Sequence, residues 1–501
     1  MKRSIISTVY GFIALVAMTA SCTSFLAEEP KTFVSPQDYY NTEADMQAVV
    51  NGCYSGLNTV FDGLVGFSMS AHVLFEGLTG NYDRLGAGGG NLKSMGFELP
   101  YDTTSEGINE NLWKGYYFSI ENCNATIQAL EAKNSDNCSV PQDTINKLLA
   151  EVYFLRAYYY YRLATIFGPV PYKTTSTTGV NDSALAPDSE EVVLSGVVKD
   201  LESAEKLFGD MAMTRTDGHI SLGATKSLLA KVYLTMAGYP VQKTECYKLA
   251  YDKAKEVVDS KAYSLFDDYA KLHDEAYENS GEIIFAIQRE AEHASSNMTC
   301  YTAPVEPSVC ANSTNGGAFV PTASFYASYD DADARKNAFF FTEYAGQAFA
   351  RPYVFKYFNA ASKCIDEGKD GLDYIVIRYA DILLVLAEAA CAGGSTSDAA
   401  ALAAYQQVHG RAFAGSAAPS SLSQDDVLKE RIFELSSENQ TWFDMTRTRR
   451  AWNASEKKMV NMIGYSPDGH ATINGYAFQE SDVYIKYPAR EERYNPNLKR
   501  P

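Results

Sequence analysis

The stretch NYDRLGAGGGN, residues 81–91, sets an aromatic ring among polar side chains beside a run of glycines. A protein that binds a sugar needs a flat apolar face for the ring carbons, with amide, carboxylate or guanidinium groups for the hydroxyls. This stretch supplies that mixture through Asn81, Tyr82, Asp83 and Arg84. We predict that these four residues bind a ligand; an ordinary surface turn is the alternative interpretation.

Further aromatic and polar residues of the same kind lie in two long stretches without a clear helical pattern, residues 60–109 and 290–370. Loops of this length in a compact protein are usually functional or disordered, and aromatic side chains argue against disorder. The candidates here are Tyr101, Asp102, Tyr301 and Asn315. With 35 Tyr and only 3 Trp in the chain, the ligand would be held by tyrosine and polar groups, or would not be a glycan.

The sequence contains no motif that indicates an enzyme. The 62 acidic residues contain no pair whose spacing marks a glycosidase. His72 and Glu76 do not form the H-E-x-x-H motif, GAGGGN lacks the Lys-Ser/Thr of a phosphate-binding loop, and no G-x-S-x-G motif occurs. No Cys or His spacing indicates zinc. The sequence therefore predicts a protein that is not an enzyme and has no metal and no cofactor.

The N-terminus has the pattern of an export signal. Lys2 and Arg3 precede an apolar stretch from Ile5 to Ala17, which is shorter than the roughly 20 residues that span a bilayer. The sequence TASC follows, and a cysteine directly after small residues looks like a bacterial lipobox. We predict that residues 1–21 are removed and that Cys22 carries the lipid anchor; a plain signal peptide is the alternative.

The formal net charge of -19 argues against a nucleic-acid partner, since phosphate binding requires a basic face. It also argues against attachment to anionic lipid by charge alone. Of the nine cysteines, Cys300 and Cys310 form the most plausible disulfide of an exported protein, and the others are expected to be buried free thiols.

Helical periodicity dominates the rest of the chain. In residues 145–171, apolar side chains recur at spacings of three and four. Ser221 and Gly238 mark the start and the stop of another helix. Further helices are predicted over 42–58, 110–131, 190–207, 244–260, 374–391, 397–412 and 424–450. Paired helices with small residues at close contacts predict a mostly α fold, a tetratricopeptide-like repeat scaffold with long irregular loops that carry the ligand site.

Several blocks, in order along the chain, resemble the SusD/RagB family of outer-membrane nutrient-binding lipoproteins. They are FLAEEPKTFVSPQDYYNTEADMQAVVNGCYSGL, LWKGYYFSIENCNATI, AEVYFLRAYYYYRLATIFGPVPY, GATKSLLAKVYLTMAGY, DYIVIRYADILLVLAEAAC, KERIFELSSENQTWFDMTRTRR and YIKYPAREERYNPNL. Asn439 departs from the glycine frequent at that position in the family. The resemblance implies a single domain over 22–501, with an N-terminal part of about 22–230 and a C-terminal part of about 231–501.

Most residues of these blocks have types that suit structural roles. Arg156, Glu388 and the set Glu430, Arg431 and Glu434 are expected to form buried ion pairs, because buried charges persist only when paired. Trp113 and Trp442 are expected to be packed anchors. The blocks therefore identify the scaffold and say little about the ligand.

The resemblance also implies a function and a location. It implies an outer-membrane protein, anchored by lipid and facing the cell exterior, that captures an oligosaccharide and delivers it to a SusC-like TonB-dependent transporter. Ligand contacts would come from loops outside the helical repeats, which points to the two irregular stretches. A peptide-binding member of the same family is the alternative, and a glycan-degrading enzyme is a weaker one.

Overall fold

The structure, a computed structural model, describes residues 40–62, 71–83, 106–134, 137–179, 184–296, 298–304, 320–358, 369–468 and 475–498. The predicted signal segment and Cys22 lie outside these ranges. The helices are α1 Glu43–Asp62, α2 Ala71–Leu78, α3 Glu106–Glu131, α4 Gln142–Phe167, α5 Glu190–Phe208, α6 Leu222–Ala237, α7 Cys246–Asp259, α8 Met298–Thr302, α9 Ala323–Ser328, α10 Ala334–Phe339, α11 Tyr379–Ala392, α12 Ala399–Ala412, α13 Gln424–Glu434, α14 Thr441–Thr448 and α15 Ala489–Tyr494.

The long helices pack as neighbours in chain order, which confirms the predicted repeat scaffold. Helices α3 to α7 each contact the next, and α11 then packs against α7, α12 and α13. Ser221 caps α6 by accepting a hydrogen bond from the backbone of Ala224. Helix α4 is buried almost all round from Leu148 to Phe167, so it is the central helix of the scaffold.

Short strands join segments that are distant in sequence. They are β1 Tyr82–Asp83, β2 Ile283–Ile287, β3 Val320–Pro321, β4 Phe340–Tyr344, β5 Gln347–Val354, β6 Tyr374–Arg378, β7 Arg450–Asn453 and β8 Lys458–Asn461. They form the antiparallel pairs β1–β3, β2–β6, β4–β5 and β7–β8. The two stretches expected to be irregular therefore contain short helices and strands.

Two predicted helices are wrong in part. The helix predicted over 374–391 begins only at Tyr379, because the β-branched run YIVIR forms strand β6. The helix predicted over 424–450 is two helices, α13 and α14. Between them Ser437 and Asn439 adopt positive φ angles of 63° and 61°, which a continuous right-handed helix does not allow.

The predicted buried ion pairs are confirmed. The shortest oxygen–nitrogen distances are Arg156–Asp200 2.8 Å, Arg447–Glu388 2.6 Å, Arg335–Glu430 2.6 Å, Arg431–Asp444 2.8 Å and Arg378–Glu434 2.7 Å. These pairs connect α4 with α5, α14 with both α11 and α13, and α13 with both α10 and strand β6. Trp113 and Trp442 are buried, as expected of packed anchors.

The free thiols described by the structure agree with the prediction. Cys53, Cys123, Cys246 and Cys391 are buried, and Cys138 is half-buried. The predicted Cys300–Cys310 disulfide involves side chains outside the described residues. Across the described ranges, no helix combines the length and the apolar character that crossing a bilayer requires.

Candidate functional site

The two irregular stretches meet at the short sheet β1–β3. Tyr82 pairs with Pro321 and Asp83 with Val320 in antiparallel register. The backbone N–H of Thr322 donates to the carbonyl of Asn81 at 2.9 Å and extends the pairing by one step. Residues 81–83 and 320–322, more than two hundred positions apart in sequence, thus lie side by side at one edge, which we name the β1–β3 edge.

The eight predicted ligand residues differ in burial and in whether the structure describes them. Asn81 and Tyr82 are buried, and Asp83 is half-buried at the edge itself. Tyr301 lies in helix α8, and its side chain is outside the described part. The remaining candidates, outside the described residues altogether, are Arg84, Tyr101, Asp102 and Asn315. Of the eight, the described contacts bring together Asn81, Tyr82 and Asp83 alone.

Tyr82 is a core residue, which corrects the expectation of a tyrosine exposed on a loop. Its side chain is 1% exposed, and its ring lies edge-on to Phe325 with the ring centres 5.4 Å apart. Its hydroxyl hydrogen bonds with Ser436 and accepts a hydrogen bond from Ser437 at 2.8 Å. Burial raises the pKa of this phenol well above its ordinary value. Tyr82 therefore positions the loop and presents no open face to a sugar.

A cluster of buried ionisable residues lies next to Tyr82 and binds the segment 436–439, whose serines contact the Tyr82 hydroxyl. The backbone N–H of Asn439 donates to buried Glu76 at 2.6 Å, and Lys356 donates to the carbonyl of Ser436 at 3.0 Å and pairs with Glu438. Burial raises the pKa of Glu76 to about 8 and lowers that of Lys356 to about 8. Buried polar contacts therefore hold in place the residues that pack against the β1–β3 edge.

An aromatic hairpin beside strand β3 was missed in the sequence. Strands β4 and β5 enclose a small apolar cluster, separate from the main core. Its buried members are Val320, Phe341, Tyr353 and Phe358, and its half-buried members are Tyr344, Phe349 and Phe355. Phe341 and Phe349 lie edge to face with their ring centres 5.3 Å apart. The density of Phe and Tyr on both sides of Ala345-Gly346 was the signal that could have revealed it.

Chemically, the β1–β3 edge combines a carboxylate, Asp83, with neighbouring aromatic rings that are partly exposed. This is a binding chemistry, suited to apolar ring faces and hydroxyl groups. Among the described residues, no group of three His, Cys, Asp or Glu side chains is arranged to hold a metal ion.

Comparison with known proteins gives a consistent result along the chain. Residues 30–234 match the SusD-like family described as "starch-binding associating with outer membrane", and residues 344–500 match the SusD family. SusD-like protein P2 of Formosa agariphila is 27% identical over 477 residues, covering 87% of this chain and 90% of that protein.

Solved structures show the same fold. A SusD superfamily protein from Parabacteroides distasonis superposes with a TM-score of 0.80 at 28% identity, covering 91% of this chain and 98% of that one. Surface glycan-binding protein A from Bacteroides uniformis has a TM-score of 0.74 at 17% identity, covering 91% of this chain and 99% of that one.

Proposed function

This chain belongs to the SusD/RagB family, and on that premise we propose that it binds a nutrient glycan at loops next to the β1–β3 edge. It holds the glycan at the cell surface and passes it to a partner SusC-like TonB-dependent transporter in the outer membrane. Cys22 carries the lipid that anchors it there.

The observation that carries this proposal is the pairing of Tyr82 and Asp83 with Val320 and Pro321. It brings the two stretches that the sequence predicts to bind the ligand to a single place on the helical scaffold. Loops on a rigid scaffold are where binding sites concentrate, because the scaffold fixes the loop ends while the loop residues vary. The chain between Asp83 and residue 106 contains Arg84, Tyr101 and Asp102, and the chain just before Val320 contains Asn315. Their side chains suit sugar hydroxyls and ring faces.

The known proteins support the same class of ligand. One solved relative is named a surface glycan-binding protein, and the matching family is described as starch-binding and associated with the outer membrane. A glycan is therefore favoured over a peptide as the nutrient.

Titration of the purified protein with polysaccharides and with peptide mixtures tests the proposal. The panel consists of starch, cellulose, xylan, mannan, galactan and mucin glycans, with a casein digest as the peptide arm. We expect saturable binding to at least one polysaccharide and none to the digest. Binding to the digest with no polysaccharide bound would overturn the proposal.

The Cys22→Ala substitution is expected to release the protein from the membrane, because the residue that accepts the lipid is lost. Fractionation of a Bacteroides host, followed by immunoblotting, measures the share of protein that sediments with membranes. Cys138→Ala, which removes a free thiol from the described part of the chain, is the matched control and should sediment like the parent. Sedimentation of Cys22→Ala at the parent level would refute the anchor.

A further inference from the structure

A second cleft lies away from the β1–β3 edge and shares no residue with it. It has a volume of about 390 Å³, within the range of small-molecule sites. Helix α3 forms one wall, the segment around Pro171 and Lys173 forms the rim, and the C-terminal residues Glu491 and Asn495 line the far side.

An exposed aromatic ring marks this cleft. Phe118 is 64% exposed although it lies on a helix whose neighbouring residues Trp113 and Tyr117 turn inward to the same cleft. The Phe118 ring lines the edge of this concave surface, where it offers a flat apolar face to a ligand that enters the cleft.

The wall behind Phe118 is rigid. The Trp113 ring contacts Tyr117, Phe167 and Tyr487, with ring centres 4.9, 5.1 and 5.4 Å apart. The Tyr117 hydroxyl donates to the carbonyl of Pro171 at 2.9 Å, which ties helix α3 to the rim. An aromatic wall held in this way loses little conformational entropy when a ligand binds.

The rim is ordered as well. Asn124 donates to the carbonyl of Lys173 at 3.1 Å, and Glu121 accepts from the backbone N–H of Thr177 at 2.6 Å. The Tyr160 hydroxyl donates to the carbonyl of Lys173 at 2.6 Å. These bonds hold the polar edge of the cleft in place before any ligand arrives.

The charges around the cleft balance. The lining contains two lysines and two carboxylates, so it favours neither an anion nor a cation. They are Lys114, Lys173, Glu121 and Glu491. Apolar ring faces with a polar edge and no net charge match a neutral sugar, whose ring carbons stack on an aromatic face while its hydroxyls take hydrogen bonds. We infer that this cleft is a second binding site, for a short neutral oligosaccharide that stacks on Phe118. This inference shares only the ligand class with the proposed function.

Trp113 provides a local reporter, because of the three tryptophans it alone lines the cleft, and Trp442 and Trp452 do not. Fluorescence titration uses neutral oligosaccharides prepared from starch, cellulose, xylan, mannan and galactan. We expect a saturable change of emission with at least one of them, and for Phe118→Ala about tenfold weaker binding in that titration. Leu249→Ala, a change of an exposed apolar residue on α7, is the matched control and should leave the titration unchanged.

The double variant Asp83→Ala/Arg84→Ala separates this inference from the proposed function. If the cleft is a second site, the loop variant keeps the parent emission titration, while Phe118→Ala needs about tenfold more oligosaccharide for the same change. If Phe118→Ala binds every oligosaccharide like the parent, or no oligosaccharide changes the emission, the cleft inference is overturned. Abolition of all binding by the loop variant together with unaltered binding by Phe118→Ala would leave the proposed function intact and refute the cleft alone.

Discussion

Replacing Arg378 with methionine is expected to lower the free energy of unfolding by about 3–5 kcal/mol, because removal of one partner from a buried ion pair leaves uncompensated charge. The Arg378 guanidinium has no exposed surface, and its nitrogens lie 2.6 Å from Glu282, 2.7 Å from Glu434 and 2.8 Å from Glu438. Methionine fills part of the volume and supplies no charge. The expected loss therefore reports the electrostatic role of the residue rather than an empty cavity.

The carboxylates around Arg378 keep other cationic partners in the variant. This limits the expected loss in the free energy of unfolding. Arg411 lies 2.6 Å from both Glu282 and Glu434, and Lys356 pairs with Glu438. We therefore expect a folded but less stable protein. Urea denaturation at neutral pH measures the change, with the slope of the transition as a check that the protein still unfolds cooperatively.

Arg450→Met is the matched control for Arg378→Met. Arg450 forms an ion pair with Asp425 at 2.5 Å, in which both side chains are partly exposed. Solvent-exposed pairs contribute about 0–1 kcal/mol, so this variant should unfold near the parent midpoint. Equal losses for the two arginine variants would contradict a stabilising role for the buried cluster.

Tyr82→Ala is the second change with a large expected effect on stability. Truncation of a large buried aromatic side chain to alanine costs about 3–5 kcal/mol. Here the ring packs on Phe325, and the hydroxyl bonds with Ser436 and Ser437. Thermal and urea unfolding should both show the loss, and any weakening of glycan binding should follow the fraction of unfolded protein.

Two further variants test the cause of this loss. One separates the contribution of the Tyr82 ring from that of its hydroxyl, and the other compares a buried tyrosine with an exposed one. Tyr82→Phe keeps the packed ring and removes one buried hydroxyl, for an expected loss of about 1 kcal/mol. Tyr494→Ala removes a tyrosine that is 72% exposed, and it should change stability by no more than about 0.5 kcal/mol. If Tyr82→Ala kept the parent unfolding midpoint and bound glycan more weakly, Tyr82 would be a ligand contact after all.

Much of the scaffold could be predicted from the sequence because a helix is indicated by the pattern of residues close together in the chain. The spacing of apolar residues in α4 and the serine cap of α6 depend only on neighbouring residues. The sequence predicts a helix over strand β6 because no Gly or Pro separates its apolar residues from those of α11. The interruption between α13 and α14 depends on the positive φ angles of Ser437 and Asn439. Asparagine at a position where the family often has glycine is a signal for such an angle, and Ser437 gives none.

The candidate site could be predicted less well, since it depends on contacts between distant segments. The composition around Tyr82 suggested a sugar-binding loop, yet its ring is buried by Phe325 and by residues more than three hundred positions away. The aromatic hairpin β4–β5 has a strong local signal, but its position beside strand β3 does not follow from local sequence. Ligand contact by Asn81, Asp83, Arg84, Tyr101, Asp102, Tyr301 and Asn315 stays a prediction.

Calorimetric titration of the loop variant Asp83→Ala/Arg84→Ala tests the central claim most directly, with the polysaccharide that the parent protein binds best as the ligand. The matched control is Glu456→Ala/Lys458→Ala, which removes an exposed acid–base pair beside the β7–β8 turn. We predict at least tenfold weaker binding for the loop variant at the high-affinity site, with parent affinity for the control and equal melting temperatures for both. Parent affinity in the loop variant would contradict the assignment of the glycan site to the β1–β3 edge.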